Sequence, residues 1–127
     1  MTVLACFTDS EEGRLAVQRG IAEAVHRGLS LAIINIDPDR NPSSLREMGI
    51  SDAAAHIPDL QISMVPPSAA VHDPADHVLV AEQSLGAELI VLGLRRRSRV
   101  GKLIMGSHAQ RILLDADCPV LTVKANQ

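Results

Sequence analysis

Five of the chain's twelve basic residues fall in one short stretch: Arg95, Arg96, Arg97, Arg99 and Lys102. They sit between Gly93 and Ser107, which reads G-L-R-R-R-S-R-V-G-K-L-I-M-G-S. Guanidinium groups present paired N–H donors that match the oxygens of a phosphate. The stretch also runs into an amphipathic segment that opens at Ser107. A helix start there offers unpaired backbone N–H groups and the positive end of the helix dipole, a second feature that suits an anion. The chemistry this stretch is equipped for is phosphate binding, against the plainer reading of a solvated charged loop. It is not a Walker A loop, because Gly101-Lys102 is followed by Leu103 and the glycine spacing is wrong.

Other candidate groups are sparser. Thr8 and Asp9 follow an apolar run and precede a helical pattern. Asp9 is either an N-cap or, at a strand end, a ligand contact. Ser107 reads as an N-cap whether or not a ligand is bound, and nothing at activating distance in sequence marks it as a nucleophile. His108, the next residue, either touches a ligand or sits in the first helical turn. His72 and His77 lie near Asp73 and Asp76, but the i, i+5 spacing does not put both imidazoles on one helix face, so no metal site is expected. Cys6 and Cys118 form no C-x-x-C pattern. Both are expected to be buried, inert thiols. No general base and no second polar cluster accompanies the basic loop, which argues against an enzyme.

These residues need a scaffold, and hydrophobic periodicity supplies one. Thr2 to Phe7 is a nearly continuous apolar run, as in a parallel strand covered on both faces. The caps and acids of Thr8 to Glu12 open a helix with Val17, Ile21, Ala24 and Val25 on its apolar face, closed by Gly28. Leu29 to Ile36 is a second strand, ended by the turn residues Asp37-Pro38-Asp39. Asn41 to Ser44 reads as loop, and Leu45 to His56 as a poor helix interrupted near Gly49. Leu60 to Val65 alternates as a half-exposed strand near a sheet edge. Asp73-Pro74 starts the next helix, with Val78, Ala81, Glu82 and Leu85 inward and Gly86 at its end. Glu88 to Leu92 is the fourth strand. Ala109, Ile112, Leu113 and Ala116 mark the last helix, and Val120 to Val123 the last strand. Alternation of this kind means an α/β fold with a mainly parallel sheet. Ligands in such open sheets sit beyond the carboxyl ends of the strands, where the strand order switches. The first and fourth strands, ending at Asp9 and Gly93, are therefore expected to face one crevice.

The bulk numbers bound the rest. A chain of 127 residues is one domain, here taken as residues 1–127. One Phe, no Trp and no Tyr leave Val, Ile, Leu and Ala to fill the core, which favours small, closely layered contacts. A net charge of −3 and a pI near 5.9 argue against general nucleic-acid binding. No apolar run approaches the roughly 20 residues of a membrane span, and no basic n-region precedes an apolar run as in a signal peptide. A cytoplasmic protein with reduced thiols is the expectation. Val120 to Val123 is short and apolar, and as an edge strand it needs cover. Pairing with a second copy across a two-fold axis would supply it, which predicts a homodimer.

The layout resembles the universal stress protein family. The likeness rests on G-x(12)-G-S, from Gly93 to Gly106-Ser107, followed by an amphipathic helix and A-D-C-P-V-L-T-V, and it extends over essentially the whole chain. The resemblance implies a flavodoxin-like (Rossmann-like) three-layer sandwich with a five-stranded sheet in the order 3-2-1-4-5, and homodimers formed through the last strands. One branch of the family binds ATP through G-x2-G-x9-G-(S/T). Gly93 matches its first glycine and Gly106-Ser107 its last pair, while Arg96 stands where the second glycine belongs. Arg96 adds bulk where a glycine lets backbone approach a phosphate, although Arg96 and Arg97 could instead contact phosphates by side chain. By the same resemblance Thr8 and Asp9 match the acid-bearing turn that approaches the nucleoside, and Ile36 the apolar contact to the base. The implied function is a small adenine-nucleotide-binding stress protein without a dedicated catalytic centre, taking ATP with or without magnesium. The alternative is a dimeric scaffold of the same fold that binds no nucleotide.

Overall fold

The computed structural model describes residues 1–37, 39–68, 70–95 and 106–125. Strand β1 (Thr2–Phe7) leads into helix α1 (Glu11–Arg27), then β2 (Ser30–Asn35). A 3₁₀ turn (Asp52–His56) precedes β3 (Ile62–Met64), followed by α2 (Pro74–Leu85), β4 (Ala87–Arg95), α3 (Ser107–Asp115) and β5 (Val120–Ala125). The five strands form one sheet in the order β3-β2-β1-β4-β5, and every pairing is parallel. This is the flavodoxin-like α/β arrangement, with β3 and β5 at the edges.

All six residues of β1 are buried, because side chains alternate across the central strand and both faces are covered. Val3, Ala5 and Phe7 join Val17, Leu31, Ile33 and Val91 beneath α1. Leu4 and Cys6 point the other way, to Ile34, Ile90, Val78 and Ile112 beneath α2 and α3. The scarcity of aromatics is met by close approach. At Gly20 an added Cβ would lie 2.8 Å from the Ala5 Cβ, so α1 rides directly on the sheet.

Three helix ends follow the expected capping chemistry. Gly28 and Gly86 terminate α1 and α2 in the left-handed region, at φ 67° and φ 61°. Asp73 caps α2, accepting from Ala75 N at 2.8 Å, with Pro74 in the first turn.

Several sequence expectations are corrected. The segment from Leu45 to His56 forms turns and the 3₁₀ element rather than an interrupted helix, with Gly49 at φ 77°. Leu45, Met48 and Ile50 are nevertheless buried and close the core on the α1 side. Val25 and Leu85, expected on buried helix faces, are exposed. Strand β4 runs on to Arg95, so Gly93 and Arg95 belong to the strand and not to the loop. Cys118 is only partly buried, whereas Cys6 is fully enclosed.

Candidate functional site

β1 and β4 are adjacent, with Val3 opposite Leu89 and Ala5 opposite Val91. From β1 the chain crosses through α1 to β2 on one side. From β4 it crosses through α3 to β5 on the other. The order of connection therefore switches between these two strands, and their carboxyl ends carry the candidate residues.

The β1 end is a tight turn into α1. Thr8 Oγ1 lies 2.7 Å from Ser10 Oγ, and Ser10 N donates to Thr8 O at 2.8 Å. Ser10, not Asp9, is the N-cap of α1; its hydroxyl accepts from Gly13 N at 3.1 Å. A Cβ on Gly13 would overlap the Thr8 backbone, so the turn closes only around a glycine. Relieved of capping, Asp9 has its carboxylate elsewhere. Oδ1 is 3.3 Å from Arg14 Nη1 and Oδ2 is 3.4 Å from Arg40 Nε. Asp9 N donates to Asp37 Oδ2 at 2.8 Å, which ties the β1 turn to the end of β2.

Gly93 lies inside β4, opposite Val123. A Cβ there would overlap the carbonyl of Glu12 in the first turn of α1. The glycine thus lets α1 cross β4 close to the strand end. Arg96 and Arg97 lie outside the described residues. At the far side of that segment Gly106, not Ser107, is the N-cap of α3, and Ser107 is the first helical residue. A glycine N-cap brings no side-chain acceptor to the first-turn N–H groups. His108 Nδ1 is 3.4 Å from Asp73 Oδ1, and Arg111 reaches Asp73 at 3.5 Å as well as Asp76 and Asp115. The hydrogen bond to Asp76, chiefly, pushes the Arg111 guanidinium further above its ordinary range.

Beside this crevice a cleft of about 370 Å³ opens at the ends of β2 and β3, in the size range of small-molecule sites. Ile36 and Val65 form an apolar part, and Asp37, Arg40, His72, Asp73 and His77 a polar rim. Of the sequence-predicted site residues that lie among the described residues, only Ile36 lines it. The polar rim corrects the expectation that no second polar cluster accompanies the loop. Asp37 belongs to a turn sequence and Arg40 to a stretch without clear periodicity, and the spacing of His72 and His77 bears only on a metal site. Their meeting depends on the β2–β3 pairing and the seating of α2, neither of which has a local signature. Among the described residues no three His, Cys, Asp or Glu side chains are grouped as a metal would need.

The chain matches the universal stress protein family over residues 1–124. A universal stress protein of Mycolicibacterium smegmatis is 39% identical over 115 residues, which span 88% of each chain. Among solved structures, a universal stress protein in complex with cAMP is 22% identical, with a TM-score of 0.67 over 99% of this chain and 98% of that one. A universal stress protein from Archaeoglobus fulgidus in complex with dAMP is 17% identical, with a TM-score of 0.60 over 98% of both chains. At those identities the likeness is one of fold.

Proposed function

Because this chain belongs to the universal stress protein family, we propose that it is a stress-response protein that binds an adenine nucleotide and has no dedicated catalytic centre. The observation that carries the reading is the adjacency of β1 and β4. It puts the Asp9 turn and the end of β4 at one switch point of a parallel sheet. Two neighbours of this fold were solved with cAMP and dAMP, and both ligands are adenine nucleotides.

In this reading Thr8, Asp9 and Ile36 hold the nucleoside, and the base enters the cleft lined by Ile36 and Val65. The phosphates meet the start of α3, where Gly106, Ser107 and His108 present backbone N–H groups. Arg96 and Arg97 add positive charge from the connecting segment. Gly93 serves by admitting the first turn of α1 rather than by touching phosphate. ATP, with or without magnesium, is the ligand favoured by the glycine spacing, and the protein works in the cytoplasm. Among the described residues no helix is long and apolar enough to cross a membrane. A homodimer through β5, which has an open edge, completes the proposal.

Titration calorimetry with ATP and AMP, with and without magnesium, tests the reading, together with mass spectrometry of small molecules released from the purified protein. Saturable heat or a co-purified adenine nucleotide is expected. The absence of both would overturn the reading.

Two observations favour a second reading, a scaffold without nucleotide. Both carboxylate oxygens of Asp9 are engaged by arginines, and Arg96 replaces the motif glycine. Arg96→Gly separates the two. ATP binding that appears only in this variant would favour the scaffold.

A further inference from the structure

The backbones that carry Asp9 and Arg40 are each fixed. Asp37 Oδ2 holds Asp9 N at 2.8 Å, and the Asn35 side-chain amide donates to the Arg40 carbonyl. Between them the side chains close an ion pair, Arg40 Nε to Asp9 Oδ2 at 3.4 Å. Arg14 takes the other oxygen from α1. Arg40 also lines the cleft, so the pair adjoins it.

We propose that Arg40 is an affinity- and specificity-determining residue that guards Asp9: a ligand in the cleft competes with the Arg40 guanidinium for Oδ2 of that carboxylate. The inference rests on the nucleoside reading of Asp9 given above. An ionised carboxylate only accepts hydrogen bonds, so the incoming group must donate, as a ribose hydroxyl or an exocyclic amine does. A ligand with no donor at that point has nothing to exchange for the ion pair and binds more weakly. The displaced guanidinium returns to water at little cost, since its side chain is already 58% exposed. What the ligand loses is the pair itself, which for exposed partners corresponds to about a two- to fivefold weakening of binding.

The exchange has an unusual salt signature. Attraction between a charged ligand and a protein weakens as ionic strength rises. An uncharged ligand that must break an ion pair gains instead, because salt screens the pair it competes with.

Adenosine, which carries no charge, is the probe. Its affinity is measured by calorimetry for the parent, Arg40→Met, Asp9→Asn and the double variant, at low and high ionic strength. Met keeps the apolar stem of Arg40 without its donors, and a thermal melt checks that each variant folds. Arg40→Met is expected to bind adenosine about two- to fivefold tighter than the parent. The parent should tighten with salt, and Arg40→Met should not. In the Asp9→Asn background the Arg40 substitution should have no effect, because its action runs through that carboxylate. Equal or weaker binding by Arg40→Met, or a gain that persists with Asn at position 9, overturns the inference and leaves the nucleoside reading intact. Absence of binding in every variant, by adenosine and AMP alike, overturns both.

Discussion

The carboxylate of Glu82, on α2, accepts hydrogen bonds from the backbone N–H of Cys118 at 2.7 Å and of Asp117 at 2.9 Å. Glu82 is 4% exposed, and it spends its charge on the turn between α3 and β5. The neighbouring Gln83 side chain donates to Asp117, so α2 grips that turn twice. This grip sets where β5 begins. Glu82→Ala would leave two N–H groups without their acceptor and is expected to cost about 2–4 kcal/mol. Denaturant titration checks it: the midpoint should fall with the slope unchanged. A loss too small to resolve would mean that the turn is held by something else.

Gly93→Ala separates a packing role from a phosphate role. Its Cβ meets the Glu12 carbonyl, so the first turn of α1 must move. Overpacking of this kind costs about 1–3 kcal/mol. The loss should appear in thermal melts of the nucleotide-free protein. Unchanged stability with impaired nucleotide binding would instead assign the glycine to the ligand.

Both thiols are held protonated. Burial pushes Cys6 up to about 12 from an ordinary 9.0. Cys118 is also pushed up to about 12, by burial first and then by the hydrogen bond and negative charge of Glu82. A raised pKa means that the folded state binds the proton more tightly. The resulting stabilisation is complete below pH 9 and is lost as pH rises toward 12. Stability should therefore decline across that window, and the chain has no tyrosine whose titration would obscure it. At pH 8 a disulfide reagent should label the native thiols slowly, and Glu82→Gln should speed labelling of Cys118 but not of Cys6.

The β5 edge is the proposed dimer seam. Light scattering should return about twice the 13.6 kDa chain mass at micromolar concentration. Thr122→Lys puts two like charges near each other across a two-fold axis and should shift the population toward monomer. A parent that stays monomeric as concentration rises would remove the seam.

Much of the fold was readable because its signals are local. Period-2 and period-3.6 patterns, Gly28, Gly86 and Asp73-Pro74 each depend on a few adjacent residues, and among the described residues they located the five strands and the three α-helices. The misreadings sit where local chemistry allows more than one outcome. Ser10 and Asp9 can both cap a helix, and so can Gly106 and Ser107; the backbone path decides which does. Gly93 looked like a loop glycine because nothing nearby in sequence reveals that α1 crosses there.

The sequence by itself determined an α/β chain with its basic loop ahead of the last helix, since composition and periodicity are properties of neighbours along the chain. Only the tertiary structure decided that Asp9 faces Arg40 and Asp37, that His72, His77 and Asp73 border one cleft, and that Glu82 holds the turn before β5. Those relations join residues 28 to 36 positions apart, or collect them from several segments around one opening. They exist only once parallel pairing and helix packing have set the register, which no local pattern encodes.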